Sequence, residues 1–205
     1  MTITLHKNDL PEGLTFSDRV AVDTEAMGLN NHRDRLCVVQ LSDGDGTAHL
    51  VQFEPGKPYD APRLCALLAD QKTTKIFHYA RFDVAILKKY LGVECTPLFC
   101  TKLASKLCRT YTDRHGLRDL CREVLSVDLN KQQQSSDWGQ DELTEDQLHY
   151  AASDVLYLHD LMDALIVRLK REGRLDMAQS CFDFLMTRAD LDLAGWLDID
   201  IFAHR

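Results

Sequence analysis

The chain has no apolar run approaching the roughly 18 residues that a membrane-spanning helix needs. Its first residues, MTITLHKNDLPEG, lack the charged-then-apolar layout of a secretory signal. Together these absences lead to the expectation of a cytoplasmic protein. No Cys-x-x-Cys pair occurs among the seven cysteines, and their number is odd. Several stand inside apolar segments such as LCVVQL, so buried free thiols are expected rather than a zinc site or a disulfide framework. Positive charge is scarce: Lys and Arg total 24 against 32 Asp and Glu, for a formal net charge of −8. Grip on a long polyanion comes mainly from many Lys/Arg–phosphate contacts, which this balance disfavours. A short nucleic acid held at one site by metal ions is compatible with it. There is no internal repeat, and no low-complexity tract beyond KQQQSS.

What is present fits one soluble domain: 205 residues, 45% hydrophobic and 27% charged. RVAVDTEA (19–26) is an apolar run stopping at acidic residues, the pattern of a buried strand whose end meets a site. RLCVVQLSD (35–43) and TAHLVQFEP (47–55), separated by GDG, read as a hairpin. DAPRLCALLAD (60–70) reads as a short helix with Pro62 in its first turn, TKIFHYA (74–80) as a strand, and RFDVAILKKYLG (81–92) as an amphipathic helix ending at Gly92. After Pro97, LFCTKLASKLCRT and GLRDLCREVLS read as two helical stretches, NKQQQSSDWGQDE (130–142) as a polar loop, and about 145–171 as one long helix. The fold class expected is α/β, a mixed sheet flanked by helices. The tail, about 174–205, stays apolar through Phe184, Leu185, Leu193, Trp196, Ile199, Ile201 and Phe202. Such an ending is expected to pack on the core or on another subunit.

The segment LTEDQLHYAASDVLYL offers two groups, His149 and Tyr150, upstream of Asp154. Thr144 followed by Gln147 fits a capping box, with Glu145 and Asp146 where the helix dipole favours acids. With the helix starting at Glu145, Tyr150 lies about 40° from Asp154 around the axis and His149 about 140° away. Tyr150 and Asp154 therefore share a face, and His149 points elsewhere.

Asp23 and Glu25, two apart on a strand, can project toward a shared cation. Alone, each acid has an ordinary reading: a solvated strand end for this pair, a dipole-stabilised helix start for Asp83, an exposed helical charge for Asp154. Gathered together they would repel and shift one another's pKa values unless cations sat between them. Hard oxygen ligands suit Mg²⁺ or Mn²⁺, and two such ions about 4 Å apart are the usual arrangement for in-line attack on a phosphodiester.

VAVDTEAMGL, HYARFDVAIL and HYAASDVLYL resemble, in order and separation, the three exonuclease motifs of the DEDD superfamily. The tyrosine in the third, with SSDW ahead of it, resembles the DEDDy, ribonuclease D-like, 3′–5′ exonucleases over about residues 15–170. The resemblance implies a ribonuclease H-like (DnaQ-like) fold and a single exonuclease domain over 1–205. It implies that Asp23, Glu25, Asp83 and Asp154 bind two divalent ions, and that Tyr150 holds the attacking water. A phenol of ordinary pKa, about 10, suits positioning that water better than deprotonating it. Products would be 5′-mononucleotides released from a 3′ end. His78 departs from many relatives, which carry another polar residue there.

Length, NHRDRLCVVQLSD, KQQQSSDWG and the apolar tail resemble most a short alphaproteobacterial subgroup of this family. That subgroup is associated with dinucleotides and other very short single-stranded RNA, and with a ring-shaped homo-oligomer. On this reading Leu29 would wedge between the two terminal bases. A short substrate also needs a cap for its 5′ phosphate, and the basic candidates are His32, Arg33, Arg35, Arg109, Arg114 and His115, with Lys131 beside the polar loop. His78 reads as a hydrogen bonder behind the ligands, and Trp138 as an anchor for its loop. The alternatives are a broader exonuclease trimming longer RNA or DNA, and a non-catalytic nucleic-acid-binding scaffold, which would have no reason to keep mutually repelling acids together.

Overall fold

Alternation and capping signals resolve into strands and helices in a computed structural model that describes residues 1–129 and 136–204. Lys131 and the first serine of SSDW lie outside the described residues. Among the described residues the strands are β1 (Thr2–Lys7), β2 (Arg19–Ala26), β3 (Leu36–Ser42), β4 (Thr47–Gln52), β5 (Thr74–Phe77) and β6 (Leu98–Cys100). They form one mixed sheet in the order β1-β4-β3-β2-β5-β6. β2, β3 and β4 are antiparallel neighbours, while β1 runs parallel to β4, and β5 and β6 continue parallel to β2. The parallel edge β1 was not anticipated from the sequence, and β6 was read as helix. Both depend on a neighbour for their existence, and β6 spans only three residues.

The helices are α1 (Pro62–Ala69), α2 (Ala80–Leu91), α3 (Thr101–Cys108), α4 (Leu117–Leu125), α5 (Glu145–Leu156), α6 (Leu158–Arg171) and α7 (Leu175–Leu191), followed by a π-helical turn, Asp192–Trp196. α1 opens on Pro62, whose missing N–H costs nothing in a first turn. α2 closes on Gly92 at φ 65°, where a side chain would be strained, and the Gly92 N–H donates to the Lys88 carbonyl. α5 starts with both halves of the Thr144–Gln147 capping box. The long helix expected over 145–171 is instead broken at Tyr157 (φ −106°, ψ 0°). The break lets α5 lie across β1 to β4 while α6 crosses β2 and β5.

β3 is buried throughout, with Leu36, Cys37, Val38, Val39 and Leu41 inaccessible. The tail divides: α7 packs on α2, β6, α3 and α6 through Phe182, Leu185 and Met186, whereas Trp196, Ile199, Ile201 and Phe202 are exposed. All seven cysteines are free thiols, five of them buried, and burial pushes Cys95 and Cys121 up to about 12. Among the described residues no helix is long and apolar enough to cross a membrane.

The capping box orients the helix that carries Tyr150 and Asp154. Thr144→Ala is expected to lower folding stability by about 1 kcal/mol, seen in urea denaturation as a shifted midpoint with an unchanged slope.

Candidate active site

The site begins where the sheet opens. β2 pairs with β5 only from Arg19 to Ala21, while its pairing with β3 continues to Ala26 through a bulge after Glu25. Beyond Ala21 one edge of β2 is free of β5, and Asp23, Thr24 and Glu25 line a cavity of about 630 Å³ there. A crevice beyond the carboxyl ends of parallel strands is where open α/β sheets usually bind ligands. The chain leaves β5 through His78 and through Tyr79, which takes the left-handed conformation (φ 71°) and starts α2. This turn brings Asp83, in the first turn of α2, back toward β2, where the Thr24 hydroxyl donates to its Oδ1 at 2.7 Å.

α5 supplies the remaining groups. Tyr150 and Asp154 both line the cavity, whereas His149 is exposed on another face. The helix start at Glu145 is what separates them. One carboxylate oxygen each from Asp23, Glu25 and Asp154 lies within 4.8 Å of the others. Asp83 stands behind this trio, close enough for its charge to act on Asp23 and Glu25. Desolvation, then repulsion from the neighbouring acids, holds Asp23 well above the carboxylate range and pushes Glu25 up to about 9. Desolvation raises Asp83 to about 7 against the opposing Thr24 hydrogen bond. Burial first, then the charges of Asp154, Glu25 and Asp23, raises the Tyr150 phenol above its ordinary value. Trp138, buried and 6.1 Å from the Tyr150 ring, anchors the loop before α5.

A trio of clustered, desolvated carboxylates is unfavourable alone, and its all-oxygen donor set fits a hard divalent cation. The residues present therefore suit Mg²⁺ or Mn²⁺.

The other sequence candidates separate. Leu29 lines the cavity and is 85% exposed. His78 also lines it. The Thr101 hydroxyl, donating to the Phe77 carbonyl at 3.1 Å, accepts from His78 Nδ1 at 2.9 Å, which places a proton on Nδ1. Arg33, Arg114 and His115 do not line the cavity. Arg33 is held by Asp34 at 2.6 Å, and His115 Nδ1 faces the Ser105 hydroxyl at 2.9 Å. Arg109 is fully buried, donating to Glu123, Ser105 and the Arg114 carbonyl. Arg35 donates to the carbonyls of Phe53 and Gly139, and His32 Nε2 to that of Asp192.

Two cations that do line the cavity, Lys102 and Arg118, were not singled out from the sequence. Lys102 Nζ lies 4.2 Å from the centre of the Tyr79 ring, and Arg118 pairs with Asp128 at 3.2 Å. Lys102 follows β6 as Asp83 follows β5, at the start of a helix. Recognising β6 as a strand would have exposed it.

The fold and the acidic cluster define a class: a ribonuclease H-like sheet carrying a carboxylate site suited to a divalent cation. A family model described as a 3′–5′ exonuclease matches residues 6–170, and the chain belongs to that family. Brucella melitensis NrnC is 56% identical, with 100% of both chains covered, in structures with bound Mg²⁺ (TM-score 0.94) and bound to pGG (TM-score 0.95). Escherichia coli RNase D is 29% identical over 84% of this chain and 45% of its own, with a TM-score of 0.74. Ribonuclease D of Gluconacetobacter diazotrophicus is 33% identical over 88% of this chain, which spans 45% of that relative's length.

The raised acids give a signed prediction. Glu25 titrates near 4.5 in an unfolded chain and near 9 in the folded one, so the metal-free folded state holds more protons between those values. Metal-free stability should therefore fall as pH rises from about 5 to about 9. Glu25→Gln should flatten that slope, and Mg²⁺ should raise the melting temperature of the wild type more at pH 8 than at pH 6, as differential scanning fluorimetry would read.

Proposed function

We propose that this chain is a 3′–5′ exoribonuclease that hydrolyses very short RNA, dinucleotides above all, to 5′-mononucleotides. The observation carrying the short-substrate reading is its full-length similarity to a protein solved with pGG in place. Asp23, Glu25 and Asp154, with Asp83 behind them, would hold two divalent cations, which would supply charge neutralisation at the phosphodiester and activation of water. Burial first, and then the acids around it, keep Tyr150 protonated, so it orients water through its hydroxyl instead of removing a proton. Leu29 meets the substrate bases, and Lys102 and Arg118 face its phosphates in place of Arg33, Arg114 and His115. The whole chain acts as one domain in the cytoplasm, and the exposed Trp196 and Phe202 support a homo-oligomer. The similarity to ribonuclease D supports the second reading, a trimming exonuclease for longer strands.

Mg²⁺-dependent turnover of 5′-labelled RNA from two to about twenty nucleotides, with matched DNA, separates the two, since a closed pocket should discriminate by length. A steep preference for the dinucleotide is expected; equal or faster cleavage of long strands would replace the first reading with the second. In the same assay Asp154→Ala should lose more than the roughly 100-fold typical of an outer ligand contact. Tyr150→Phe should lose about 100-fold, and His149→Ala should leave turnover unchanged. The reverse pattern at 149 and 150 would refute the assignment of Tyr150.

A further inference from the structure

Asp192 lies at the junction of α7 and the π-helical turn and is only 3% exposed. Arg81 donates to it through Nε and Nη2, both at 2.7 Å, and Arg188 adds Nε at 3.0 Å. Arg188 Nη2 also donates to Asp192, and both Nη2 groups reach tail carbonyls, Arg81 to Leu197 at 2.6 Å and Arg188 to Trp196 at 2.5 Å. A buried carboxylate gripped by two forked cations is a strong, directional fixture. The Asp192 carbonyl faces His32 Nε2 at 3.3 Å, and since a carbonyl only accepts, His32 is the donor.

Each partner leads to the cavity. Arg81 stands between Tyr79 and Asp83, next to Phe82, and all three of these line it. His32 belongs to the loop after β2, which the Met27 N–H closes onto the Arg35 carbonyl at 3.0 Å and which carries Leu29 three residues earlier. The far end of that loop is held by α2, through Lys89 Nζ to the Asn31 carbonyl (2.5 Å) and the Tyr90 hydroxyl to the Asp34 carbonyl (3.1 Å). His32 thus ties the loop to the C-terminal turn.

We propose that Asp192 is a positioning residue, latching the Leu29 loop and the start of α2 to the C-terminal turn so that the cavity keeps its shape for a short substrate. The substrate part rests on the proposed exoribonuclease function; the latch itself does not.

The test uses the full-length protein as wild type, Asp192→Asn, Leu29→Ala and the double variant. Steady-state kinetics on a 5′-phosphorylated RNA dinucleotide with Mg²⁺ are paired with amide hydrogen exchange on metal-free protein. Asp192→Asn is expected to raise KM about tenfold with kcat changed less than about twofold. Amides in 27–35 should exchange faster while those of β3 do not, and KM of the double variant should match that of Leu29→Ala. A lower melting temperature with unchanged KM and unchanged exchange would reduce Asp192 to a structural residue and overturn the proposal. So would KM increases that multiply in the double variant. If Asp192→Asn fails to fold, Arg81→Lys, which keeps the charge but loses the fork, carries the same readouts. A wild type that does not cleave the dinucleotide would refute the functional reading, while exchange would still decide the latch.

Discussion

Repulsion among acids confined in a desolvated cavity is the constraint that the rest of this structure serves. Asp23, Glu25 and Asp154 bring oxygens within 4.8 Å of one another, with Asp83 behind them. No single element could hold such a set. β2 is fixed between two neighbours, α2 is aimed by the left-handed turn at Tyr79, and α5 is started by its capping box. Burial of β3 and the helix faces packed on it provides the apolar energy that offsets the repulsion.

The parts of the site written in local signals were legible from sequence. Alternation put Asp23 and Glu25 together, and Thr144 with Gln147 fixed the phase of α5, which decided between His149 and Tyr150. The strands β2 to β5 and helices α1 and α2 were likewise readable, because turn glycines and Pro62 bound them. What failed had no local signal. β1 and β6 are strands because of the strands beside them, and the break at Tyr157 answers to where α5 and α6 must lie.

The arginines show the same limit. As sequence, Arg33, Arg109, Arg114 and Arg118 are equivalent basic residues. In the fold Arg109 is sealed against Glu123, Arg33 is neutralised by the residue after it, Arg114 lends a carbonyl, and Arg118 reaches the cavity. Their roles are set by distant partners, which spacing along the chain does not encode. Lys75 is a further case: fully buried, its ammonium donates to the carbonyls of Asp70, Thr73 and Thr96 and ties together loops at the far end of β5.

The pairing register of β2 also bears on how such a chain can change over generations. Asp23 and Glu25 face one way because they stand two positions apart, with Thr24 alone between them, and β3 holds Asp23 opposite Gln40 and Glu25 opposite Val38. A side chain can be exchanged at Val20 or Val22 and leave that parity intact. A single inserted or deleted residue would turn the strand over and send both acids to the opposite face of the sheet. For this strand, indels of an odd number of residues are the forbidden class of mutation, while the turn at Asp43–Gly46 lies outside the ladder, where a length change leaves the facing of the acids alone.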